Sequence, residues 1–417
     1  MTAVRTPAAT PTASGGTPAA ATPARRRRGA APRSVRRLRR LQIGAVALLL
    51  AFGALVVTAL AVSFNASSRA AESLAQYDRL AHARIQALEV QQAANTWALT
   101  PTDAVRADVT DQLTSLATTL ADASAVDTDR DRIVPLTGAL VHYSMTLQDA
   151  LNAKGTASAA LLAKADTQLS DELLTPLTAA RTTAGDRIAG QLTAGWLPWV
   201  IGGLVATVGG LIAISVALAR ASHRYVNPGV ALALLSALAS VAVLAASSTA
   251  AANVANEFTE SARAELDAVA TAQQQLHQAR ADEVLAVGLQ TAGTPYQTRW
   301  TSAYTAILDG VSALPDSTSA ASALKAYKAT HDQLVSAAGK AQWTTAAGIA
   351  TDASATAFDK VDTSLNTVGA DLGGPVSTGL KSASDGAAAG IAGVIVFTLA
   401  GAGLAVWGVA RRIEEYR

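Results

Sequence analysis

The residues able to do chemistry in this chain are few and far apart. There are five histidines, His82, His142, His223, His277 and His331, and no cysteine. The histidines lack the short spacings at which imidazoles on one helix share a metal ion, so solvated helix surface is the better reading for all five. Without a thiol, disulfides, thiolate metal sites and cysteine nucleophiles are excluded. The densest acidic run, Asp127-Thr128-Asp129-Arg130-Asp131, has neither the glycine nor the terminal glutamate of a calcium loop. It sits where a helix-capping turn is expected. A phosphate-binding Gly-x-x-x-x-Gly-Lys-Ser/Thr loop, a His-Glu-x-x-His pair and a Gly-x-Ser-x-Gly elbow are all missing from the sequence. No catalytic residue, no metal ligand and no cofactor site is therefore expected, and the chain reads as something other than an enzyme.

Arginine carries a clearer pattern. Residues 1–40 hold ten arginines and no acid, among them Arg25, Arg26, Arg27, Arg28, Arg36, Arg37, Arg39 and Arg40. The stretches 64–195 and 253–386 are acidic instead, with net charges of −5 and −6, so the overall balance of +2 hides a segregation by segment. Arginine outnumbers lysine 26 to 7, which with an excess of alanine suggests a GC-rich bacterial genome.

The elements that separate these charged segments are four uncharged apolar runs, Leu41–Phe64, Trp196–Ala219, Gly229–Ala252 and Ala387–Ala410. Each has about 24 residues, and roughly 20 suffice to cross a bilayer core of about 30 Å. Arginine clusters lie before the first run, between the second and third (Arg220, Arg224), and after the fourth (Arg411, Arg412). The positive-inside rule puts all three clusters, and both termini, in the cytoplasm of a multi-pass plasma-membrane protein, with the acidic segments outside. Trp196, Trp199 and Trp407 stand at span ends, as interfacial anchors do. The basic leader is longer than the n-region of a secretory signal, so the first run reads as a retained helix. Residues 1–40 form a disordered leader, because Ala, Thr, Pro, Gly and Arg offer too little apolar surface to offset ordering. Beside a membrane helix its arginines favour anionic lipid, at about 1 kcal/mol each, over nucleic acid.

The outer segments, 65–195 and 253–386, read as helix throughout, so the fold class is all-α. Leu74, Tyr77, Ala81, Ile85 and Leu88 recur at helical spacing, as do Leu266, Val269, Leu276, Ala279, Glu283 and Val284. Breaks fall at Thr100–Asp103, Asp127–Asp131 and Lys154-Gly155, and again at Gly293–Pro295, Leu314–Asp316 and near Gly339. Three breaks make four helices in each segment, an up-down bundle whose first helix leaves one span and whose last descends into the next. Leu372-Gly373-Gly374-Pro375 breaks that last helix just above the membrane, as a hinge or a plain connector. The segment 93–101 is weakly echoed by 279–287, and span, bundle and span recur at about 188 residues. This spacing reads as a tandem repeat with both copies in one orientation, unlike the inverted repeats of many transporters. Gly202, Gly203, Gly209 and Gly210 in the second span, and Gly386, Gly390, Gly393 and Gly401 at the fourth, read as static helix packing.

At its C-terminal end the chain reads Trp407-Gly408-Val409-Ala410-Arg411-Arg412-Ile413-Glu414-Glu415-Tyr416-Arg417. Together with the four spans, the paired helical segments and the echo between 93–101 and 279–287, this resembles the GlnX family of actinobacterial membrane proteins. The resemblance covers everything after the leader. It implies an adaptor that links an extracytoplasmic amino-acid-binding lipoprotein to a soluble serine/threonine protein kinase inside, with no catalytic positions of its own. Cytoplasmic material is otherwise scant, namely the leader, the link 220–228 and the tail 411–417, so any output goes to a separate protein. The tail residues Arg411, Arg412, Glu415, Tyr416 and Arg417 are the candidate contact with it. Arg411 and Arg412 also serve topology, but acids at a helix C-terminus are mildly unfavourable and need another reason. Two other readings compete: a direct small-ligand sensor similar to chemoreceptor ligand domains, and a transporter or channel subunit. Transport fits poorly, because the spans hold no ionisable group.

Overall fold

Alanine-rich amphipathic segments without β-branched runs favour helix. In a computed structural model, which describes residues 33–153, 156–192, 195–222 and 228–415, every regular element is helical. Helix α1 runs from Arg33 to Leu99, 67 residues or about 100 Å, through both the first apolar run and the outer segment beyond it. Thr102 caps α2 (Asp103–Ser124) by accepting from the Val105 amide. Next come α3 (Arg130–Asn152), α4 (Thr156–Gln168) and α5 (Thr175–Gln191). A π-helical segment, Leu169–Leu174, joins the last two. Pro176 has no N–H to continue the ladder, and the widened turn before it absorbs that loss. The chain continues with α6 (Leu197–Ser222), α7 (Pro228–Glu257), α8 (Arg263–Gly288), α9 (Thr294–Ser312) and α10 (Thr318–Gly339). It ends in the short α11 (Trp343–Thr351) and in α12 (Ala353–Glu415).

Four of these helices, α1, α6, the α7–α8 rod and α12, are long and apolar enough to cross a membrane. In their apolar parts α12 packs along both α1 and α7, while α6 leans on α1 and exposes Trp199, Ile201, Val205 and Ile212. Close approach depends on glycine. A Cβ at Gly53 would stand 2.3 Å from Thr398, and one at Gly229 would stand 2.5 Å from the Leu404 carbonyl and 2.6 Å from Gly408. Gly203, Gly210, Gly390 and Gly401 also meet neighbouring helices, whereas Gly202, Gly209, Gly386 and Gly393 meet nothing within 4 Å. At one end of the spans Gln42 donates to the Val406 carbonyl at 3.3 Å, and Leu38, Leu218, Val230 and Val409 share one buried cluster. Arg36, Arg37, Arg39, Arg40, Arg220 and Arg411 are thereby gathered, exposed, at that same end.

Beyond the spans, the far half of α1 packs with α2, α3, α4 and α5, while α8 packs with α9, α11 and α12, and α10 packs against α12, α11 and α9. Three expectations need correction. The leader was expected to be unstructured through residue 40, but α1 already begins at Arg33, where arginine is a good helix former and Leu38 is buried against the other spans. Pro375 does not break the last helix. α12 runs through it, because Val376 and Leu380 are buried in a core cluster that both halves of the chain share, and this burial outweighs the lost hydrogen bond. Asp129 precedes α3 but does not cap it with its side chain. Its fully buried carboxylate instead accepts from Arg187 of α5 at 2.5 Å.

Candidate functional site

The two groups of helices beyond the spans meet along α1 and α8, and several buried polar side chains lie at that seam. Nearest the spans, Tyr77 of α1 donates to Asp267 of α8 at 2.7 Å. Arg181 of α5 donates to the same carboxylate and to the Tyr77 oxygen, each at 2.5 Å, and its guanidinium lies over the Tyr77 ring. Arg263 of α8 reaches back to Asp186 of α5 at 2.8 Å. Burial, aided by the Asp267 carboxylate, raises the Tyr77 hydroxyl, so it remains a donor throughout the physiological range. Burial and then the like charge of Arg181 pull Arg84 down to about 10.

Higher on the seam a buried relay passes from one group to the other. Tyr143 of α3 donates to Gln91 of α1 at 2.8 Å, Gln91 donates to Asn95 at 3.0 Å, and Asn95 donates to the Ala281 carbonyl of α8 at 3.3 Å. Alongside, Arg299 of α9 bridges Asp166 of α4, at 3.3 Å, and the buried Asp282 of α8. Burial pushes the Asp282 carboxyl up to about 7 against the pull of Arg299.

Two residues beyond the Ala281 end of that relay, inside the second group, lies the fully buried Glu283. It is paired with Arg280 on its own helix, receives Ser354 of α12 at 2.5 Å, and meets Nδ1 of His331 at 2.6 Å. Gln297 approaches Nε2 of His331 at 2.8 Å, so Nδ1 carries the proton that Glu283 receives. Trp300 stacks on the His331 ring at 3.4 Å between centroids. Burial alone would raise the Glu283 carboxyl, but His331, Arg280 and Ser354 together hold it below the usual carboxylate range. The network contains no exposed nucleophile. Its chemistry is that of a charged, ion-paired joint, in which the buried Arg280 Nε is left without a hydrogen-bond partner.

The residues expected to act lie elsewhere. Arg411 is exposed beside Trp407, 5.8 Å from its ring centroid, and α12 carries Arg412 and Glu415 in its last turn. Tyr416, Arg417 and Arg25–Arg28 fall outside the described residues, so the candidate tail contact is placed only in part. The reading of the histidines as surface residues holds for His82 and His142 but not for His277 and His331, each 1% exposed. His223 lies outside the described residues. Glu283 was legible as part of an apolar rhythm, and its partner Arg280, at helical spacing, was the available signal that the position is polar and buried. His331 and Ser354 come from other helices and left no sequence signal. Among the described residues no three His, Asp or Glu side chains converge to hold a metal ion. A cleft of about 710 Å³ opens at the far ends of the helices, lined by Trp97, Arg106, Leu285 and Gln290. A second, of about 470 Å³, follows the seam past Tyr77, His82 and Arg181.

Comparison with protein-family models, with curated proteins and with solved structures gives no match for this chain. Function rests on these residues and on the helices that carry them.

Proposed function

We propose that the chain is a transmembrane signal-transducing adaptor of the GlnX type. In this reading the two outer groups are extracytoplasmic four-helix bundles, related as a tandem repeat, and the arginine-bearing ends of the spans are cytoplasmic. An amino-acid-binding lipoprotein acts on the bundles, and a serine/threonine protein kinase receives the output. One observation carries the reading: α1 and α12 each run without a loop from the buried seam through an apolar span to an arginine-bearing end. A shift of the bundles against each other is therefore delivered along a rigid rod to Arg36–Arg40 and Arg411. The test is affinity capture of the full chain from native membranes, with partners identified on both sides. Lipoprotein and kinase should both be recovered, and deletion of Glu414–Arg417 should lose the kinase while keeping the lipoprotein. Recovery of neither, or undiminished kinase capture by the truncated chain at equal yield, overturns the tail as the contact.

A second reading, direct sensing of a small solute, is favoured by the clefts along the seam, where a ligand would bear on both bundles at once.

A further inference from the structure

A third cleft, of about 250 Å³, lies between α1 and α2 on one side and α8 and α12 on the other. We propose that it binds a small aliphatic cation through its ammonium groups. Its polar lining is Glu89, Gln92 and Thr96 of α1, Asp108 and Gln112 of α2, His277 of α8, and Asp359 and Asp362 of α12. Three buried atoms in this lining have no hydrogen-bond partner: Gln92 Oε1, Gln112 Oε1 and His277 Nδ1. His277 is 1% exposed and faces Asp362 through Nε2 at 3.2 Å. With Nε2–H donating there, the ring in its neutral form turns an Nδ1 lone pair toward no donor. Gln112 donates through Nε2 to Asp108 at 3.1 Å, which leaves its carbonyl oxygen free. All three unmet atoms are thus acceptors, and a buried acceptor without a donor is destabilising.

Charge points the same way. Two carboxylates come from each bundle, and among the described residues none of the four is paired with lysine or arginine. Asp362 takes only His277 and the Asn366 amide, and Arg106, next in sequence to Val105 of the cleft, is turned away to Asn152 and the Leu151 carbonyl. The cleft therefore offers acceptors and negative charge on both walls, and its facing carboxylates repel across the seam. A single metal ion does not meet this need, since no three such groups converge on one point. A cation with several N–H groups spread along a short chain reaches acceptors on both walls and draws the bundles together.

The site belongs to the direct-sensing reading and does not require the kinase. The full chain in nanodiscs is titrated calorimetrically with 1,4-diaminobutane, with 1,4-butanediol as the uncharged analogue of equal length and calcium as the compact cation. Saturable binding of the diamine is expected, weakened by added salt, with none of the diol. The Asp108→Asn/Asp359→Asn double variant should bind at least tenfold more weakly at an unchanged Tm, and Glu89→Gln provides the same comparison should the double variant unfold. Absence of saturable diamine binding, equal binding of the diol, displacement by calcium at equal concentration, or undiminished affinity in the variants overturns the proposal. Because no partner is present, this outcome is separate from that of the capture experiment.

Discussion

Asn95 of α1 donates its side-chain amide to the backbone carbonyl of Ala281 on α8, 3.3 Å away, with both residues buried. The two segments that echo each other in sequence, 93–101 and 279–287, thus lie against one another at the seam. The bond closes a relay that begins at Tyr143 and ends at Ala281, two residues from Glu283, so the polar cores of the two groups are joined through α1.

Replacing Asn95 by alanine removes the nearer acceptor of the Gln91 amide, which keeps the Leu162 carbonyl at 3.5 Å, and the side-chain donor to the Ala281 carbonyl. Losing these two buried hydrogen bonds should destabilise the protein by about 1–3 kcal/mol, read as a lower Tm of the detergent-solubilised chain. An unchanged Tm would mean that water fills the gap and the relay is not closed.

Glu283 and Asp282 should give opposite pH dependences. The Glu283 carboxyl is held below its ordinary value, so its contribution is present above the unfolded value of about 4.3 and fades as the pH falls through the folded value. The Asp282 carboxyl is pushed up to about 7, so the folded state binds the extra proton and stability falls as the pH rises from about 4 to 7. Asp282→Asn should therefore flatten the loss of stability between about pH 4 and pH 7. Glu283→Ala should lower Tm throughout that range by leaving Arg280 buried and unpaired, at a cost of about 3–5 kcal/mol. Thermal unfolding in a pH series separates the two, and a wild-type slope retained in Asp282→Asn would assign the effect to another group.

Gly229→Ala should push α7 away from α12, because the added Cβ meets backbone atoms at 2.5 and 2.6 Å that no side-chain rotation can relieve. Overpacking of this kind costs about 1–3 kcal/mol. Gly209→Ala meets nothing within 4 Å and should be neutral or slightly stabilising, since alanine favours helix over glycine by about 1 kcal/mol. Thermal stability of the two variants side by side is the measurement, and equal effects would contradict the packing.

The chain has no cysteine, so single cysteines report topology without background. Cysteines at Ser124 and Ser336 should react with an impermeant thiol reagent in intact cells, and one at Ala221 only after permeabilisation. Equal labelling at all three would reverse or abolish the proposed orientation.

Which segments are helical and which can cross a membrane was written in the sequence. Hydrocarbon solvation acts on each 24-residue run by itself, and turn residues such as Pro101, Gly293 and Pro315 end helices through their own backbone preferences. The alternation of basic and acidic segments was equally local. Three-dimensional packing decided what lay between. Along α1 the residues Leu74, Tyr77, Leu80, Ala83, Ala87, Leu88, Gln91, Ala94 and Asn95 are all buried, a surface too wide for one amphipathic stripe, because bundle and seam cover it from two sides. Pro375 could not be read as helical from its neighbours, since the packing that holds it comes from helices distant in sequence. The Glu283 cluster is the extreme case. Its glutamate, histidine and serine lie on three helices, and burial turned residues that look like solvated helix surface into an ion-paired joint. A charged side chain's fate depends on which partners reach it, and those partners are brought by the fold rather than by the chain on either side.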